Sequence, residues 1–153
     1  MAEFTFDGLK LTAEGKKYMD ELKKLKSMEI CCGFQRGEDP YADGTDLVTV
    51  AAYNELGTSN TPARPFMKQS WENHERELKA VCQQALTDIS NGGTADRAAA
   101  MIGAVGVGII QQEIVEGEFA PNAPSTIKKK GSDRPLFDTG HMRQSVHYVV
   151  RKV

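Results

Sequence analysis

Residues 130–148 read KGSDRPLFDTGHMRQSVHY, and the role of Asp138 in this stretch decides the fold class. An aspartate in Asp138-Thr139-Gly140 is either a catalytic carboxylate in a loop between strands or the cap of a helix. The residues that follow favour the cap. Asp138 can accept from the free backbone N–H groups at the start of a short helix over His141–Ser145, and Gly140 allows a tight entry to it. From Ser145 to Val153 the pattern alternates, with Val146, Tyr148 and Val150 on one face, as a closing strand does.

Upstream, the chain is mostly helical in pattern. Phe4-Thr5-Phe6 alternates as a short strand before the Asp7-Gly8 turn signal. Thr12 caps a helix along Leu11, Gly15, Tyr18, Leu22 and Leu25, whose lysines form a solvated face. Glu29 to Gln35 reads as a strand with Ile30, Cys32 and Phe34 on one side. Gly37 to Thr45 is an exposed, mobile loop of turn formers within residues 36–46. Asp46 or Thr45 caps a helix over Leu47–Leu56, and Gly57 stops it. Pro65 starts one long helix with its seam at Met67, Trp71, His74, Leu78, Val81, Ala85 and Ile89. Thr94 caps the next, with Ala98, Ile102, Val105, Ile109 and Gln112 inward. Its small-residue run GAVGVG, residues 103–108, predicts close approach by another helix backbone. Pro121 and Pro124 bracket an extended link, and Ser125–Lys130 is a short basic helix closed by Gly131. The expected fold is a single α+β domain. Its small antiparallel sheet, drawn from the Phe4, Ile30 and Tyr148 regions, packs against two or three long helices.

A chain of 153 residues can bury one sizeable core, and 40% hydrophobic with 26% charged residues suits a globular domain. The charge is uneven: residues 1–57 carry 7 basic and 11 acidic groups, residues 58–119 carry 5 and 8, and residues 120–153 carry 7 and 2. A basic arm near residues 120–135 facing an acidic surface on a neighbouring copy suits head-to-tail ring contacts. Cys31, Cys32 and Cys82 are odd in number, and two are adjacent, which fits inert thiols in a reducing compartment. The uncharged run Ala98–Ile110 is too short to span a bilayer. No metal or cofactor is expected. Position 78 is Leu where HExxH would need His, and CxxC and HxxxH spacings are missing. The acids Glu38, Asp39, Asp43 and Asp46 do not follow a calcium-loop spacing, and GAVGVG is not the GxGxxG order. No local feature pairs a cysteine with His74, His141 or His147 for nucleophilic catalysis. Glu113, Glu116 and Glu118 crowd the helix end that disfavours acids, which predicts a basic partner nearby.

Two family resemblances follow from these residues. Leu136-Phe137-Asp138-Thr139-Gly140 resembles the active-site loop of retroviral-type aspartic proteases, which implies a dimer sharing a proton between two aspartates. The chain departs from that family in its helical pattern and in His141, where a small residue normally follows. The second resemblance covers about residues 51–150 and rests on two segments together. They are AAYNELGT with PARPFM, residues 51–58 and 62–67, and KGSDRPLFDTGHM with SVHYVV, residues 130–142 and 145–150. The pair resembles the neck, tail-completion or virion-morphogenesis proteins of tailed bacteriophages. Leu56 stands for the usual aromatic residue and Val146 for isoleucine.

That resemblance implies a non-enzymatic structural subunit at the head–tail junction of the virion, assembled in the bacterial host cytoplasm without cofactor or membrane. It implies a homo-oligomeric ring, sixfold or twelvefold, between the head-closure or connector protein and the tail terminator or tail tube. DNA passes through the channel without sequence-specific binding. The interface and structural positions are Glu55, Gly57, Thr58, Arg64, Pro65, Phe66, Lys129, Lys130, Arg134, Leu136, Asp138, Thr139 and Gly140. In that setting Gly57 permits a turn, Arg64 presents a fixed guanidinium to a carboxylate such as Glu55, and Phe66 and Leu136 anchor the two motif loops. Glu55 and Arg64 act either as a helix-entry brace within one subunit or as an intersubunit contact.

Overall fold

A computed structural model describes residues 11–37, 39–136 and 140–153. In chain order its elements are α1 (Ala13–Lys26), β1 (Met28–Gly33), α2 (Leu47–Leu56), α3 (Phe66–Asn73), α4 (Glu75–Ser90), α5 (Ala95–Glu116), α6 (Pro124–Lys130), α7 (His141–Gln144) and β2 (His147–Lys152). The expected α+β class holds, with helices predominating over one small antiparallel sheet. The strand expected at Phe4–Phe6 and the capping role of Asp138 lie outside the described residues.

Helix starts follow local chemistry. Thr12 Oγ1 accepts from Gly15 N at 3.1 Å, an Asp46 carboxylate oxygen from Thr49 N at 2.9 Å, and Thr94 Oγ1 from Arg97 N at 3.2 Å. Each satisfies an N–H that has no intrahelical acceptor. Gly57 ends α2 at φ 76°, and a Cβ there would lie 2.8 Å from the Ala63 backbone nitrogen.

The long helix expected from Pro65 is two helices, with the bend at His74 (φ −116°, ψ 23°). The backbone ladder continues through it, His74 N donating to Ser70 O and Leu78 N to His74 O. The bend is therefore a change of axis rather than a loop. It lets α3 bury Phe66 and Ser70 while α4 buries Val81, Ala85 and Ile89. Leu86 and Cys82, beside the expected seam, stay exposed.

Helix α5 runs through the centre and packs against α1, α3, α4, α7 and both strands. By length and apolarity it could cross a membrane, but here it is a core helix with neighbours on several faces. That wide contact corrects the single expected stripe: Gln112 is exposed, while Ala99, Ile110, Ile114 and the charged Glu113 are buried. Its small residues also serve a different neighbour from the one expected. A Cβ at Gly103 would sit 2.5 Å from the Tyr148 ring, and one at Gly106 would sit 2.6 Å from Cys32 Sγ. The helix lacks side chains there because the sheet presses its own into it.

Strands β1 and β2 pair antiparallel, with Ile30 opposite Val150 and Cys32 opposite Tyr148. These pairs lie on the face expected for them. The sheet is well covered only toward one end: Val146 is buried just before β2, whereas Val150 is exposed. Phe34, beyond β1, meets Phe66 edge to face at 6.1 Å. The buried apolar residues fall into two clusters. One joins Leu47, Ala51, Phe66, Ile110, Ile114, Leu136, Met142 and Val146. The other joins Ala85, Ile89 and Ala98, with Leu22, Leu25 and Ile102 at its edge.

Candidate functional site

The two motif segments meet around Arg64. The turn after Gly57 is closed by Thr58 N donating to Thr61 O at 2.9 Å, and Arg64 N donates to Asn54 O at 2.6 Å. The chain is thereby pinned back against α2 before entering α3. The Arg64 side chain then turns inward, leaving the residue only 5% exposed. Its Nε donates to Ala120 O at 2.8 Å and its Nη2 to Pro121 O at 3.1 Å. Burial alone pushes this guanidinium below its usual pKa. The guanidinium thus ties the extended link before α6 to the loop before α3.

Glu55 is not the partner of Arg64 that the sequence suggested. Its carboxylate accepts from Met67 N at 2.9 Å and Lys68 N at 3.1 Å. Pro65, the residue before α3, provides no side-chain cap, so a carboxylate from α2 fills the need at an N-terminus that favours negative charge. Glu55 is a helix-entry brace within one chain. Phe66 and Leu136, the two expected anchors, do share one buried cluster.

Between these segments lies a cavity of about 380 Å³. Arg64, Asn122 and Lys130 contribute polar groups, and Val50, Pro62, Leu136 and Met142 contribute apolar walls. Asn122 is nearly buried and donates from Nδ2 to Arg134 O at 3.3 Å. Asp43 also lines the cavity. Its carboxylate is held below the usual range chiefly by hydrogen bonds from Thr45, with a smaller contribution from the Lys129 charge. Helix α6 carries Lys128, Lys129 and Lys130 in its last turn and ends at Gly131 in the left-handed region, φ 70°. The link that leads into this arm is held within the chain by Arg64. Of the Asp-Thr-Gly triplet, only Gly140 is described. At φ 76° it is the residue before α7, and its carbonyl accepts from Gln144 N at 3.0 Å. Part of the 36–46 loop is anchored nearby, with His141 Nε2 donating to the Asp39 carbonyl at 2.8 Å and its ring 5.0 Å from that of Tyr41.

A second polar cluster lies at the α3–α4 bend. The buried Glu113 accepts from Asn73 Nδ2 at 3.0 Å and faces His74 Nε2 at 3.4 Å. His74 Nδ1 meets Glu77 Oε1 at 3.0 Å. His74 is a basic neighbour of the kind expected near Glu113, although no local spacing pointed to it, and Asn73 is a polar one that was not expected. The Glu77 hydrogen bond raises the His74 pKa above 6.5, burial opposes it, and Glu77 and Glu113 add attraction. Glu72, Glu116 and Glu118 line an acidic hollow beside it.

Among the described residues neither cluster brings a cysteine to a histidine. Cys31, Cys32 and Cys82 are free thiols, and burial, with the neighbouring Cys31, pushes the Cys32 pKa up, away from the reactive thiolate. Among the described residues no group of three or more His, Cys, Asp or Glu side chains is arranged to hold a metal ion. No family model, curated protein or solved structure matches the chain.

Proposed function

We propose that the chain is a structural subunit of a tailed-bacteriophage neck. It forms a sixfold or twelvefold ring between the head-closure or connector protein and the tail terminator or tail tube, and DNA passes through without base-specific contact. The observation that carries this reading is the union of the two resembling segments. Arg64 reaches 56 and 57 residues along the chain to the link before α6, and Phe66 and Leu136 bury in one cluster. A motif pair that is distant in sequence yet built into one rigid corner suits a scaffold that repeats the same contact around a ring. Tyr53 and Leu56, 56% and 78% exposed at the end of α2, are large apolar side chains beside that corner and are available to a neighbour. The uneven charge along the chain suits head-to-tail association. A net charge of −2 suits a channel that does not hold DNA.

The aspartic-protease reading rests on Asp138-Thr139-Gly140 alone and fits a mostly helical chain poorly. The test of the neck reading is direct. The purified chain should form closed rings by sedimentation and electron microscopy, and the protein should be found in purified virions by mass spectrometry. Loss of its gene should leave filled heads and tails unjoined. A chain that stays monomeric and is absent from particles overturns the reading. Peptide cleavage abolished by Asp138→Asn, with particle assembly intact, would favour the protease.

A further inference from the structure

We propose that the cavity between the motif segments is a receptor for a carboxylate side chain, and that a second copy of this chain supplies it. The proposal rests on the ring reading for the source of the carboxylate, and on the cavity itself for the chemistry. Arg64 is only 5% exposed, yet among the described residues its guanidinium donates only to the carbonyls of Ala120 and Pro121. Among the described residues no carboxylate pairs with it. Carbonyl dipoles satisfy two of its five N–H groups and leave the full positive charge uncompensated. A buried charge without a counter-ion is costly, and an incoming anion gains from the low-dielectric walls around it.

The rest of the cavity specifies the anion. Lys130 lines it and makes no ion pair of its own among the described residues. Asp43 also lines it, but that carboxylate is engaged by Thr45 and biased toward Lys129. Among the described lining residues, Arg64 and Lys130 against Asp43 leave one formal positive charge. Val50, Pro62, Leu136 and Met142 give apolar walls that fit the methylene stem of a glutamate better than a hydrated phosphate. Residues 58–119 carry 8 acidic against 5 basic groups. Among these acids, Glu72, Glu75 and Glu77 of α3 and α4 are well exposed, in surface pairs with Lys68, Lys79 and His74 that hold weakly in water and that a buried guanidinium can outcompete. A second copy therefore carries suitable donors on a surface that differs from the cavity, as a heterologous contact requires.

The test uses the full chain at monomeric dilution, with N-acetyl-glutamate N-methylamide as probe, its glutamine analogue as control and inorganic phosphate as competitor. The capped glutamate should shift the Arg64 Nε–H and Thr126 amide resonances, both residues lining the cavity, and the glutamine analogue should not. Lys130→Glu, at the rim of the cavity, should keep the fold and weaken binding about tenfold, because one attractive charge becomes repulsive. At assembling concentration, an excess of the capped glutamate should disperse the rings, and Lys130→Glu should not form them. No shift with capped glutamate overturns the receptor, and so does tighter binding of phosphate. Rings that form normally with Lys130→Glu, or that survive the excess probe, overturn the second copy as occupant while the ring reading stands. Failure of the wild-type chain to assemble at any concentration overturns both the ring reading and the second copy as source.

Discussion

The Ala85–Ile89–Ala98 cluster and the Phe66–Leu47–Ile110 cluster are built in different ways. At the first, α4 and α5 approach over small side chains, and α1 closes the edge with Leu22 and Leu25. Its polar ties lie at the periphery, where Lys24 pairs with Asp96 and the Glu21 carboxylate accepts from Ala95 N at 2.7 Å. The second draws on α2, α3, α5, α7 and the residues before β2. Its boundary is set by Arg64 and Glu55, whose hydrogen bonds reach across 12 to 57 residues of chain. The helical end is therefore stabilised mainly by packing, whereas the motif end also depends on buried polar groups. Packing tolerates small repair, but a buried polar clamp loses most of its value when one partner is removed.

The largest effect should come from Phe66→Ala. The side chain is fully buried at the centre of the larger cluster, and its loss should cost about 3–5 kcal/mol, read as a lower urea midpoint. Ala85→Gly in the other cluster should cost about 1–2 kcal/mol through helix propensity and the loss of one buried methyl group. A smaller loss for Phe66→Ala than for Ala85→Gly would break the comparison.

Arg64→Met should cost about 2 kcal/mol, because two carbonyls lose their donor in a buried corner. The signature should be local: amide hydrogen exchange should rise over residues 120–128 and stay unchanged in α4. Uniform loosening of both ends would mean that the clamp does not belong to the motif end alone.

Two glycines of α5 sharpen the contrast within one helix. Gly108→Ala meets open space and should stabilise by up to about 1 kcal/mol. Gly103→Ala meets the base of the Tyr148 ring, and overpacking of about 1–3 kcal/mol should outweigh the same propensity gain. Thermal midpoints should therefore move in opposite directions.

The smallest effect should be the pH dependence at the α3–α4 bend. The folded-state pKa of His74 lies above its ordinary value of 6.5, so its contribution is fully present below that value. It fades as pH rises through the folded-state pKa. In His74→Gln the urea midpoint should lose that decline relative to wild type, with the two profiles compared from pH 5 to pH 9. Parallel profiles would show that the charged form of His74 does not support the bend.

Sequence and structure agree best where the physics is local. Thr12, Asp46 and Thr94 cap helices by reaching an N–H three residues away, and Gly57 and Gly131 stop helices by backbone conformation. Helical periodicity located α1 and α5, a cap and a glycine stop located α2, and alternation located both strands of the sheet. The two motif anchors Phe66 and Leu136 could be assigned to the core because large apolar side chains seek burial wherever the chain takes them. The axis change at His74 was hidden because the apolar pattern continues through it and the bend serves partners on α5.

Local order therefore gave away helices, strands, their caps and the α+β class. Tertiary structure alone paired Arg64 with the Ala120 and Pro121 carbonyls, sent Glu55 to the start of α3, and set Tyr148 and Cys32 against glycines of α5. A cap or a period is chosen by atoms within one turn of each other. The partner of a buried guanidinium is chosen by which distant backbone the packed core brings within 3 Å, and no spacing along the chain encodes that.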